Sequence, residues 1–149
     1  MMENKTLNQI LRYVRIALPL LAIVLGAIPG SYTKIRLDPA STAEAPKYLT
    51  TPTNYFDLTA QTLIDWVPLI CMLLCIAALV VAIVCAVKET ENNLTLLANM
   101  FCFAMVADAA IVIFTGTPTV LTWIIGGVLI AGLVITSMQE MKMEDANKK

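Results

Sequence analysis

The sequence predicts an all-α membrane protein: one domain, built as a bundle of four transmembrane helices. Three observations predict it. Hydrophobic residues make up 58% of the 149-residue chain and charged residues only 14%, against about 25% charged in a soluble domain. Mean hydropathy is +0.77. The apolar residues gather into four long runs, each near the roughly 20 residues that cross a bilayer core of about 30 Å. In lipid every backbone polar group must be paired within the protein, and these runs do not alternate, so they read as helices rather than barrel strands.

The first run covers 13–32 and holds one charge, Arg15, with Pro19, Gly26 and Pro29-Gly30 interrupting it. A cleaved signal peptide is the competing reading. The long segment ahead of the apolar core and the poor cleavage sequence at Val24-Leu25-Gly26 favour a retained span. The second run, 66–87, has no charge; the third, 94–115, has one, Asp108; the fourth, 119–138, has none.

The linkers are distinct in composition. Residues 33–65 form a long polar loop with Pro39, Pro46 and Pro52. Within it, Asp57 to Asp65 reads as a short helix with Asp57 as its N-cap and Leu58, Leu63 and Ile64 toward the membrane. Residues 88–93 form a short charged turn. Gly116-Thr117-Pro118 is a tight turn that makes the last two helices an antiparallel hairpin. The charged tail, 139–149, prolongs the fourth helix. No internal repeat marks an inverted-repeat transporter.

Four spans put both termini and the 88–93 turn on one side. That side carries seven basic residues: Lys5, Arg12, Arg15, Lys88, Lys142, Lys148 and Lys149. The other carries three: Lys34, Arg36 and Lys47. Positive charge marks the cytoplasmic side, so both termini are predicted inside and the long loop outside. The predicted location is a cell membrane, of the bacterial inner-membrane type.

Composition also excludes chemistry. The net charge is −1, which rules out an electrostatic nucleic-acid binder. There is no histidine, which removes His-based triads and His metal sites. Cys71, Cys75, Cys85 and Cys102 all fall inside spans two and three, with no Cys-x-x-Cys pair. They read as small polarisable packing residues. No paired acids at catalytic spacing and no phosphate-cradling glycine motif are present. The sequence therefore predicts no enzyme, no metal site and no cofactor.

Asp108 is the ionisable residue placed deep in the hydrocarbon, where a charge costs roughly 2.5–3.5 kcal/mol even on a lenient scale. It lies 8 residues from Gly116, about 12 Å at ~1.5 Å per residue. Counted down the fourth span, Gly126 and Gly127 reach nearly the same depth, and Thr122 lies one turn nearer the outside. Three roles follow: a hydrogen bond across the helix seam to the bared backbone or to Thr122, an ion or proton site, or a contact to a partner subunit. Gly127 and Ala131 form a small-xxx-small step that reads as a helix-packing face. Tyr48, Tyr55, Phe56 and Trp66 read as interfacial aromatics anchoring the loop in the headgroup zone.

Two functions fit these observations. One is a non-catalytic accessory or interaction subunit in the bilayer, in a homo-oligomer or with a larger membrane-protein partner. The alternative is an oligomeric channel or transporter that conducts an ion or proton through Asp108.

Overall fold

Each apolar run forms a helix. A computed structural model describes residues 2–40, 42–58, 63–88, 94–115 and 119–148. The helices are α1 (Met2–Ala27), α2 (Val67–Val87), α3 (Leu94–Thr115) and α4 (Val120–Asn147). All four are long and apolar enough to cross a membrane. α2 begins with Pro68 in its first turn, where the missing N–H costs nothing. α4 is capped by Thr119, whose hydroxyl accepts the Thr122 N–H. It runs on through the charged tail, as the sequence predicts.

α1 departs from the predicted span at both ends. It starts at Met2 rather than near 13, because helix-forming residues precede the apolar stretch. It stops at Ala27 rather than near 32. Pro29 and Gly30 end it, with Gly30 at φ +87°, a left-handed conformation that glycine adopts freely. The turns at 89–93 and 116–118 lie outside the described residues.

The loop holds secondary structure that the sequence reading did not predict. β1 (Tyr32–Leu37) pairs antiparallel with β2 (Tyr48–Thr53), from Tyr32 opposite Thr53 to Leu37 opposite Tyr48. The prolines look like loop signals, yet Pro52 sits within β2 opposite Thr33. A two-stranded ribbon has only edge strands, and there a proline is tolerated. A 3-10 turn at Leu63–Trp66 leads into α2. Of the expected Asp57–Asp65 helix, Asp57 and Leu58 are not helical, 63–65 belong to the 3-10 turn, and 59–62 lie outside the described residues.

The helices form a four-cornered bundle in which α1 and α3 each pack on both α2 and α4. Phe101 of α3 is fully buried against Gly132 of α4; a Cβ there would meet its ring at 2.5–2.8 Å. Gly26 of α1 likewise makes room for the Met72 side chain of α2. Lipid tails are as apolar as leucine, so close packing of this kind holds membrane helices together. Cys71, Cys75 and Cys85 are buried with this core, whereas Cys102 is exposed on the outer face of α3. At the far end of the α3–α4 seam, the Thr95 hydroxyl donates to the Glu140 carboxylate.

Candidate functional site

The site grows from the way α1 ends. After Gly26 the last carbonyls of the helix have no partner within it. The Gly26 carbonyl accepts two hydrogen bonds, from the Tyr55 N–H at 2.9 Å and from the Ser31 hydroxyl at 2.9 Å. The Gly30 N–H donates to the Thr53 carbonyl at 2.8 Å. These bonds fasten the segment following β2 onto the end of α1. A second clamp lies beside them. The Asp57 carboxylate accepts from the Thr53 hydroxyl at 2.7 Å and pairs with the Lys34 ammonium at 2.6 Å. Asp57 thus joins the two strands of the ribbon, a role the N-cap expectation did not include.

So anchored, the backbone turns the Tyr55 side chain into the bundle, where it is 1% exposed. Its ring meets Tyr32 edge-on, with centroids 6.3 Å apart, a favoured aromatic geometry. Its hydroxyl donates to Oδ1 of Asp108 at 2.8 Å. Burial, and then the negative charge of Asp108, push the Tyr55 phenol well above its usual range, so it holds its proton and donates. Tyr55 was expected among the interfacial aromatics; it lies inside the bundle instead, because backbone bonds at Gly26 fix its direction. Of the other three, Tyr48 and Trp66 are exposed, and Phe56 is half-buried against the core.

Asp108 is 4% exposed and faces α4. A Cβ on Gly126 would lie 2.9 Å from its Oδ2, so any larger residue there would force the carboxyl to shift. The two residues therefore meet at the depth that counting along the spans gives. Thr122 joins the same network. Its hydroxyl donates to the Ser31 carbonyl at 3.1 Å, which also accepts from Thr119 at 2.8 Å. The start of α4 is thereby tied to the end of α1, and the acid, the tyrosine and the threonine share one buried cluster. Among the described residues no three His, Cys, Asp or Glu side chains gather as metal ligands.

Gly127 has a different environment. It is exposed, with no atom within 4 Å of where a Cβ would stand. Ala131 is half-buried. Leu129 between them is buried in the core, and a close helix contact is made at Gly132, against the Phe101 ring. Gly127 instead borders a groove of about 340 Å³ between α3 and α4, on the face turned away from α1 and α2. Asp108 and Gly126 lie along it, with Trp123, Met105 and Ile113. Trp123 is 62% exposed at its rim.

The chain matches no protein-family model, no curated protein and no solved structure.

Sequence reasoning found Asp108, Gly126 and Thr122 but missed Tyr55 as the partner of Asp108. It also missed Trp123 and the Phe101–Gly132 contact. One signal for the tyrosine was available. An aspartate with no basic residue at its depth needs a neutral donor, and the adjoining loop carries two tyrosines.

Proposed function

We propose that this chain is a non-catalytic membrane subunit that acts by binding. Both termini lie in the cytoplasm, and the β1–β2 ribbon stands on the opposite side as a fixed contact surface for another membrane protein or a second copy. The Tyr55–Asp108 hydrogen bond carries this reading. An intramembrane carboxyl is costly, and here it fastens the loop to the bundle. The clamps at Gly26, Ser31 and Asp57 support the same role. β2 is exposed along most of its length, with Tyr48 at 65% and Leu49 at 49%. Large apolar side chains held out on a rigid mount suit recognition by a partner. The seven-to-three split of basic residues supports the orientation.

The test pairs native mass spectrometry in mild detergent with flux measurements in proteoliposomes. This reading expects a defined assembly that Asp108→Asn retains, and no proton or sodium flux that depends on Asp108. Flux in the wild type that is lost in a folded Asp108→Asn protein would replace it with the conducting-oligomer reading. A bare monomer would also count against it.

A further inference from the structure

The α3–α4 groove supports an inference beyond that reading. We infer that it is a binding site for a membrane-dissolved amphiphile with an alkyl body and an ammonium head, held by Oδ2 of Asp108 and the face of Trp123.

Three observations meet there. First, the two oxygens of Asp108 have different surroundings. Oδ1 accepts from Tyr55 on the bundle side, while Oδ2 points at Gly126 and accepts no hydrogen bond from the described residues. A carboxyl 4% exposed with one oxygen unmatched is costly unless a donor reaches it. Second, the groove beside that oxygen holds about 340 Å³, within the range of small-ligand sites, which combine an apolar lining with a few placed polar groups. Gly126 and Gly127 leave the approach to the carboxyl open. Third, the lining has no basic side chain, so the charge complementary to Asp108 must come from outside it. Trp123, exposed at the rim, offers the best aromatic face for a cation.

A groove along α1 shows what the carboxyl adds. It holds about 420 Å³ and is lined only by Val14, Ala17, Leu18, Leu20, Leu21 and Val24. That surface suits any acyl chain and selects none. The α3–α4 groove is set apart by one acid and one indole.

The depth narrows the ligand. Asp108 lies seven residues before Thr115, about 10 Å along the helix. A compact ammonium on a single chain fits that depth better than a bulky phospholipid headgroup.

The test uses the full chain in phosphatidylcholine nanodiscs. Trp66→Phe leaves Trp123 as the sole tryptophan reporter, since the chain has two. Dodecylammonium, dodecanol and dodecyl sulfate are titrated in turn while Trp123 emission is followed. Dodecylammonium should give a saturable change at least about tenfold tighter than dodecanol, a difference of about 1.4 kcal/mol. Dodecyl sulfate should give none. Asp108→Asn should lose the preference for the cation, with near-UV circular dichroism confirming its fold. Gly127→Leu fills the groove, leaves the Tyr55–Asp108 bond in place and should abolish the saturable change; it decides the matter if the asparagine variant unfolds. A non-saturable response, equal affinity for dodecanol, or an unaltered titration in Gly127→Leu would each overturn the proposal.

Discussion

Tyr55 and Asp108 stand 53 residues apart in the chain, and their side chains meet at 2.8 Å inside the bundle. One belongs to the segment after the ribbon, the other to a membrane-spanning helix. Their hydrogen bond makes loop and bundle one body. Tyr55→Phe keeps the ring but removes the donor and leaves Oδ1 unmatched, a loss of about 1–3 kcal/mol. Asp108→Asn keeps an acceptor and should cost less. If the two residues act through one bond, the double variant will be less destabilised than the sum of the singles, with a coupling of about 0.5–3 kcal/mol. Thermal unfolding of the four proteins in one detergent measures this. Strict additivity would show that the bond contributes nothing.

The same pair predicts a pH dependence. Burial and Asp108 raise the Tyr55 phenol above its usual range, so the folded protein holds that proton after an unfolded chain has released it. A group with a raised folded-state pKa contributes stability that is complete below its unfolded value, about 10 for tyrosine, and is lost as pH climbs above it. The unfolding temperature should therefore fall between about pH 10 and 12. Tyr55→Phe should flatten that part of the fall. The difference between the two proteins is the quantity to read. Parallel curves would remove Tyr55 from the account.

Much of this architecture is legible in the sequence, but only along the axis of each helix. The limits of α2 and α3 follow from the long apolar runs. The meeting of Asp108 with Gly126 follows from counting residues from a shared turn. Rotation about the axis does not follow. Lipid and helix neighbours are equally apolar, so α4 carries no polar stripe to show which face turns inward. Gly127 and Ala131 match a packing pattern, yet Gly127 faces the groove and Gly132 takes the Phe101 ring. Tyr55 was hidden for another reason. Its direction is set by backbone bonds to Gly26, and a tertiary hydrogen bond between distant segments leaves no periodic trace. The β1–β2 ribbon was masked by prolines that an edge strand can carry.

The α4 glycines give a rotation test. Gly132→Ala would drive a methyl into the Phe101 ring, and overpacking of this kind costs about 1–3 kcal/mol. Gly127→Ala meets nothing within 4 Å and should leave stability unchanged or slightly raised, because alanine is the better helix former. Phe101→Leu should recover part of the Gly132→Ala loss by making room. Unfolding midpoints for the three variants and the combined one check the order. Equal losses at 127 and 132 would mean that α4 is turned differently.

The Lys34–Asp57 pair predicts where the loop loosens first. Lys34 is 6% and Asp57 19% exposed at the side chain, so water screens the pair only in part. Breaking it leaves a largely enclosed carboxylate that still accepts from the Thr53 hydroxyl at 2.7 Å. A pair between the exposed and buried extremes is worth about 1–2 kcal/mol, a factor of about 5–30 in a local equilibrium. Lys34→Met keeps the length of the side chain and removes its charge. Amide exchange at 54–57 should then quicken by about that factor, while the middle of α3, held by the bundle, keeps its protection. The Tyr55 N–H is the most telling amide, since its bond to the Gly26 carbonyl at 2.9 Å fixes the phenol's aim at Asp108. Faster exchange there, with Asp57→Asn giving the same pattern, would show that the charged clamp holds the tyrosine in place. Unchanged exchange at Tyr55 would show that the backbone bonds to α1 suffice without it.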